Sequence, residues 1–192
     1  MKTIYGTTDV EINGVQQIAA GGTGATTASA ALAALGAPRS LSNVVSGTVV
    51  TGTLNNTASK ALSIPANSFT TNDCPELIVR VRRTGASLNQ FQTRIYWNTT
   101  PDIAGTPILI GRGPNVVAGS NTLYLSRLLA IVNSTNSTSV NDVTIQNTTD
   151  YGITTPIPQS LAIDWTQNGF IVVAIQNLSV SDQTYCDIIR IR

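Results

Sequence analysis

The run ELIVRVRR, Glu76–Arg83, decides the fold. In an extended chain successive side chains point to opposite faces. Leu77, Val79 and Val81 therefore share one side, and Ile78, Arg80 and Arg82 the other. FQTRIYW, residues 91–97, repeats the pattern, with Phe91, Ile95 and Trp97 one way and Gln92, Arg94 and Tyr96 the other. An apolar side alternating with a polar one predicts half-buried antiparallel sheet. Outward from these two runs, GTVVTGTL (47–54), KALSI (60–64), PILIG (107–111) and NTLYLSRLLAIV (121–132) read as further strands. So do VNDVTIQ (140–146), SLAIDW (160–165), FIVVAIQ (170–176) and TYCDIIRI (184–191). Gly, Pro, Asn and Asp separate them at intervals of roughly 8–15 residues. With no helical period between the strands, the expected fold is mainly β: an antiparallel β-sandwich, most simply a jelly roll.

Phe170–Ile175 breaks the alternation, because it is apolar on both sides. One face of a sandwich strand meets the core, and the other then needs a second dry environment. A subunit interface or a covering loop supplies it. The interface reading selects Ile171, Val173 and Ile175.

Ahead of the sandwich the character changes twice. Residues 1–20 read as a short extended arm, and residues 21–43 as a glycine-rich turn, a short helix and a linker; residues 44–192 form the head. Thr26 or Thr27 caps a helix from about Ala28 to Leu35, with Gly36 and Pro38 as stop signals. Such a helix is shorter than the ~12–15 residues that hold together alone in water. Its stripe of Ala28, Leu32 and Leu35 must pack on something, and copies of itself around a symmetry axis are one answer. In the arm, Ile4, Val10, Ile12 and Val15 are spaced to add a strand or fill grooves on a partner, and Gly21, Gly22 and Gly24 complete the attachment segment.

Composition narrows the function classes. Charged residues are 11% of the 192, against roughly 25% in ordinary soluble domains, while hydrophobic residues reach 42%. Thr, Ser and Asn fill the surface instead. A net charge of +1 gives no electrostatic case for nucleic acid or an anionic membrane. No stretch approaches the ~20 apolar residues of a bilayer span, and the N-terminus lacks the apolar region of a secretory signal. Synthesis in a cytoplasm is expected, with Cys74 and Cys186 as buried thiols.

Histidine is absent, which removes the commonest general base and most Ser–His and Cys–His nucleophile pairs. No phosphate-loop, zinc-protease or nucleophile-elbow spacing appears, and no cofactor or metal site is expected. A two-carboxylate glycosidase would survive the lack of histidine. The closest acidic pair in the head, Asp73 and Glu76, sits where acids form turns and strand edges. Arg80, Arg82 and Arg83 are split between two faces by the alternation, which dilutes any phosphate groove. Trp97 and Trp165 lie in phase with core positions, so Tyr124 and Tyr151 are the better surface candidates for a ligand.

The segment IAAGGTGATTASAALAALGA, residues 18–37, resembles a motif recurrent in phage tail-fibre and head-fibre proteins. KALSIPANSF (60–69), RTGAS (83–87), IYWNTTPDIAGTPILIG (95–111) and GFIVVAIQN (169–177) are more loosely similar to the trimeric, tumour-necrosis-factor-like jelly-roll heads of phage fibres. The resemblance implies a homotrimeric virion subunit, a short head fibre or capsid decoration protein or else a tail-fibre tip. It would be bound through its N-terminus to a capsid or tail protein, and its head would meet a host-surface glycan or protein. Long fibres carry repeats or a coiled-coil shaft; this chain has neither, which favours a short projection.

Overall fold

A computed structural model describes residue 31 and residues 40–51, 54–84, 90–113, 116, 121–141 and 159–192. The chain divides into two units, residues 1–39 and 40–192. The second unit contains eleven strands: β1 (Leu41–Asn43), β2 (Val50–Thr51), β3 (Thr57–Ile64), β4 (Glu76–Thr84), β5 (Phe91–Asn98), β6 (Ile108–Arg112), β7 (Thr122–Asn133), β8 (Asn136–Asn141), β9 (Gln159–Leu161), β10 (Gly169–Asn177) and β11 (Gln183–Ile191).

These strands build the expected antiparallel β-sandwich. The larger sheet runs β1-β11-β4-β7-β8-β9, with β2 also on β11, and the smaller runs β3-β10-β5-β6. Setting aside β1, β8 and β9, the order β2-β11-β4-β7 against β3-β10-β5-β6 is that of an eight-stranded jelly roll.

The alternation read in β4 and β5 is the one that forms the core. Leu77, Val79 and Val81 face inward from the larger sheet with Ile189 and Ile191; Phe91 and Ile95 answer them from the smaller. Trp97 and Trp165 are both buried, with ring centroids 4.9 Å apart, and Phe69 meets Trp165 edge-on at 5.4 Å. Gly169 is required by this cluster, because a Cβ there would overlap the six-membered ring of Trp97.

Four expectations need correction or placement. First, Ile171, Val173 and Ile175 are fully buried in the inter-sheet core of a single chain. Val172 and Ala174, on the opposite face of β10, are fully buried as well. The doubly apolar run thus finds both dry environments within one chain, and its pattern no longer argues for a subunit interface. Second, strand pairing begins ahead of Val44, since Leu41, Ser42 and Asn43 pair with Ile191, Arg190 and Ile189. Third, the strand after β7 starts at Asn136, in a hairpin whose turn is held by Asn133 Oδ1 accepting from the Thr135 N–H at 3.0 Å. Fourth, Cys186 is buried and Cys74 is exposed; both are free thiols. Of the predicted helix only Ala31 is described, and it is helical. Leu32, Leu35, the arm residues Ile4, Val10, Ile12 and Val15, the glycines Gly21, Gly22 and Gly24, residues 142–146 and Tyr151 lie outside the described residues.

Candidate functional site: an open sheet face and a buried latch

The outer face of the larger sheet carries the exposed candidate. Tyr124 is 54% exposed and stands directly across β7–β4 from Arg80, which in turn stands across β4–β11 from Ile188. The next row holds Tyr185, Arg82 and Thr122. As the alternation requires, Arg83 turns to the opposite side, where it is buried with its guanidinium 5.6 Å from the Phe91 ring centroid.

The acids on this face are occupied. Asp187 accepts three hydrogen bonds from Arg80 at 2.8–3.1 Å, and Arg82 approaches to 3.8 Å. Glu76 accepts from the Ser126 hydroxyl at 2.7 Å and from Arg192 at 2.8 and 3.0 Å. Bonding to Asp187 holds the Arg80 guanidinium above its ordinary pKa.

Beneath this face lies a latch. Residues following β1 cross between the edges of the two sheets: the Gly47 N–H donates to the Cys186 carbonyl at 2.8 Å, and the Thr48 N–H to the Ser59 carbonyl at 2.7 Å. Ser59 Oγ donates to the Thr48 carbonyl and accepts from the Cys186 N–H. Gly47 has to be glycine, because a Cβ would collide with the carbonyl oxygens of Ser59 and Cys186. Lys60 is buried below and donates through Nζ to the carbonyls of Val45 and Asp187. Desolvation lowers the pKa of Lys60. Burial pushes the Cys186 thiol up to about 12. A thiol held protonated this firmly is a weak nucleophile.

The remaining described carboxylates serve turns, with one exception. Asp73 Oδ2 accepts from the Thr70 N–H at 2.6 Å, and Asp164 Oδ1 from the Thr166 N–H at 2.9 Å. Asp102 accepts from the Thr100 hydroxyl and the Ala104 N–H, and these bonds lower its pKa. Asp182 is the exception: it is fully buried beneath the β10–β11 turn, and neither carboxylate oxygen has a hydrogen-bond partner. Its burial keeps it from solvent and substrate alike. Among the described residues no three His, Cys, Asp or Glu side chains gather where they could hold a metal, and no helix is long and apolar enough to cross a membrane.

No family model matches the chain, and no curated protein matches it in sequence. Solved structures that resemble it loosely include two bacteriophage proteins. One is the CBM2 module of the evolved Dit of Lactobacillus casei BL23 phage J-1, at 7% identity and a TM-score of 0.33, covering 68% of this chain and 67% of that one. The other is a conserved carbohydrate esterase from the Shiga toxin-encoding bacteriophage phi24B, at 14% identity and a TM-score of 0.33, covering 79% of this chain and 88% of that one. Likeness at this level lends neither protein's chemistry to this chain.

Proposed function

We propose that this chain is a non-enzymatic structural subunit of a bacteriophage virion: a short homotrimeric head fibre or capsid decoration protein. Residues 1–20 anchor it to a capsid or tail protein, and the sandwich is presented outward to adhere to the host surface. The observation that carries this reading is the use of polar side chains in the sandwich. Asp73, Asp102 and Asp164 hold turns, Asp187 and Glu76 bind arginines, and Asp182 is sealed in. That pattern suits a rigid structural body, and among the described residues it supplies no pair of accessible carboxylates for glycoside hydrolysis. The fibre-like segment at residues 18–37 supports the virion assignment.

The second reading, a receptor-binding tip of a tail fibre, is favoured by Tyr124, an exposed aromatic ring directly across from Arg80 on the outer face of the larger sheet. Native mass measurement of the full chain is expected to give three copies, and cryo-electron microscopy of the particle to place the density on the capsid. A monomeric mass overturns the trimer. Density at the tail tip selects the second reading, and its absence from the particle overturns both.

A further inference from the structure

The outer face of the smaller sheet carries a pair of charges that the fold itself does not explain. Arg94 on β5 and Arg112 on β6 are directly opposed in an antiparallel register. Opposed residues of such a pair share a face with Cα atoms about 5 Å apart, and like charges placed this way are destabilising. Among the described residues no acid relieves the repulsion. Arg94 donates only to the neutral Gln92 Oε1, at 3.3 Å, and among the described residues neither guanidinium has a carboxylate partner. The described strand residues that share this face are Gln92, Tyr96 and Asn98 on β5, Leu109 on β6, Phe170, Val172, Ala174 and Gln176 on β10, and Ala58, Ala61 and Ser63 on β3, without one acid. The larger sheet offers the contrast, because there Asp187 and Glu76 answer Arg80 and Arg192.

The surroundings of the pair match a sugar polymer. Val172 and Ala174, at the centre of the face, are already fully buried within the chain, so a ligand meets the half-buried rings of Tyr96 and Phe170 beside them. Tyr96 is held in place, since its hydroxyl accepts from Asn56 Nδ2 at 2.9 Å. It lies two residues from Arg94 on the same face, about 7 Å along the strand. Gln92 and Gln176, directly opposed on β5 and β10, bring two amides beside Arg94; Gln176 donates through Nε2 to the Leu54 carbonyl at 2.7 Å, which leaves its amide oxygen for a hydroxyl. Rings present apolar faces to sugars, amides bond hydroxyls, and the planar guanidinium fork fits a carboxylate in two parallel hydrogen bonds.

From this geometry we infer that the outer face of β3-β10-β5-β6 binds an acidic, carboxylate-bearing polysaccharide, with Arg94 and Arg112 clamping a carboxylate and Tyr96 carrying the adjacent sugar ring. This deepens the adhesive part of the proposed function and rests on it. It assigns recognition to the smaller sheet, away from Tyr124.

Polygalacturonate is the probe, with uncharged dextran beside it, against the full chain. Polygalacturonate is expected to retard the protein in affinity electrophoresis and raise its Tm, as ligand binding to the folded state must, while dextran does neither. Arg94→Gln with Arg112→Gln is expected to weaken binding by about tenfold or more. Its Tm without ligand should equal or exceed that of the wild type, because the variant removes a repulsion. Arg82→Gln, on the opposite sheet, should bind as the wild type does. The inference is overturned if polygalacturonate leaves the wild type unmoved, if dextran acts equally, or if the double variant binds unchanged. It is also overturned if the double variant alters the native mass, which would make this face a contact between copies. Particle localisation fails or succeeds independently of these outcomes, so the two readings are separable.

Discussion

Asp187 is the residue at which β11 loses register with β4, and Arg80 holds it there through three hydrogen bonds. Cys186 pairs with Val81 and Ile188 with Arg80, so Asp187 is the extra residue of a bulge. The bulge turns its carbonyl toward Lys60 and its carboxylate toward Arg80, joining latch and sheet face at one position.

The two partners of that pair differ in burial, and the difference predicts unequal effects. The Asp187 side chain is 7% exposed and that of Arg80 40%. Removing Arg80 strands a buried carboxylate, with Arg82 too distant to replace the lost hydrogen bonds; removing the charge of Asp187 leaves an arginine that water can solvate. Arg80→Gln is therefore expected to lower Tm more than Asp187→Asn, by several degrees, and the double variant should recover part of the loss. Thermal melts of the three variants check the order.

Cys186 predicts an alkaline signature. Its folded value of about 12 lies above the ordinary value of 9.0. Between them the folded chain keeps a proton that the unfolded chain has lost, so the stabilising contribution is complete below pH 9 and disappears as pH rises towards 12. Lys60 acts with the opposite sign: its folded value is lowered from 10.5, so its contribution grows as pH rises through that lowered value towards 10.5. A Cys186→Ala variant isolates the thiol. Relative to wild type, its unfolding free energy is expected to rise steadily from pH 9 upward, on top of a constant loss from the vacated volume. A difference that does not vary with pH would show that the thiol is not held protonated.

Gly169 makes a packing prediction. Its missing side chain is what lets β10 pass against Trp97, itself fixed between Trp165 and the core. Gly169→Ala forces that ring to move and is expected to cost about 1–3 kcal/mol by overpacking. Urea unfolding reads the loss, and a changed near-ultraviolet circular dichroism spectrum reads the displaced tryptophan.

The sandwich was legible wherever a strand has one wet face. β4 and β5 follow strict alternation, and their core residues are those the period selects. β8 was missed at its start because NSTSVN is polar on both sides and offers no hydrophobic period. In β10 the doubly apolar run is legible, but not that both of its faces are buried within one chain, because that burial depends on packing which no local pattern encodes. Arg127 shows a related blind spot: it lies in phase with Leu125 and Leu129, so the period does place it inside, yet an arginine there reads as an error until Gly111 is seen making room for it. The like-charged pair of Arg94 and Arg112 depends on the register of β5 against β6, which no local pattern encodes. Tyr124 and Tyr151 are the ligand candidates legible in the sequence, because aromatic character is local and pairing is not.

The last prediction concerns where the sandwich begins. β1 covers the outer edge of β11 at Ile189 and Ile191, while β2 covers only Gln183 and Thr184. Asn43 also ties the two sheets, its Nδ2 donating to the Ala61 carbonyl at 2.9 Å. A chain starting at Val44 would lose both features and leave the Ile189–Ile191 end of β11 as an unpaired edge, the kind of surface that recruits other strands. A chain starting at Ser40 keeps them. The 40–192 form is expected to melt cooperatively at or near the temperature of the sandwich in the full chain. The 44–192 form should melt several degrees lower and show concentration-dependent association in sedimentation. Equal melting temperatures and equal mass for the two forms would show that β1 contributes nothing to the sandwich, and that its pairing with β11 is an accessory of the linker.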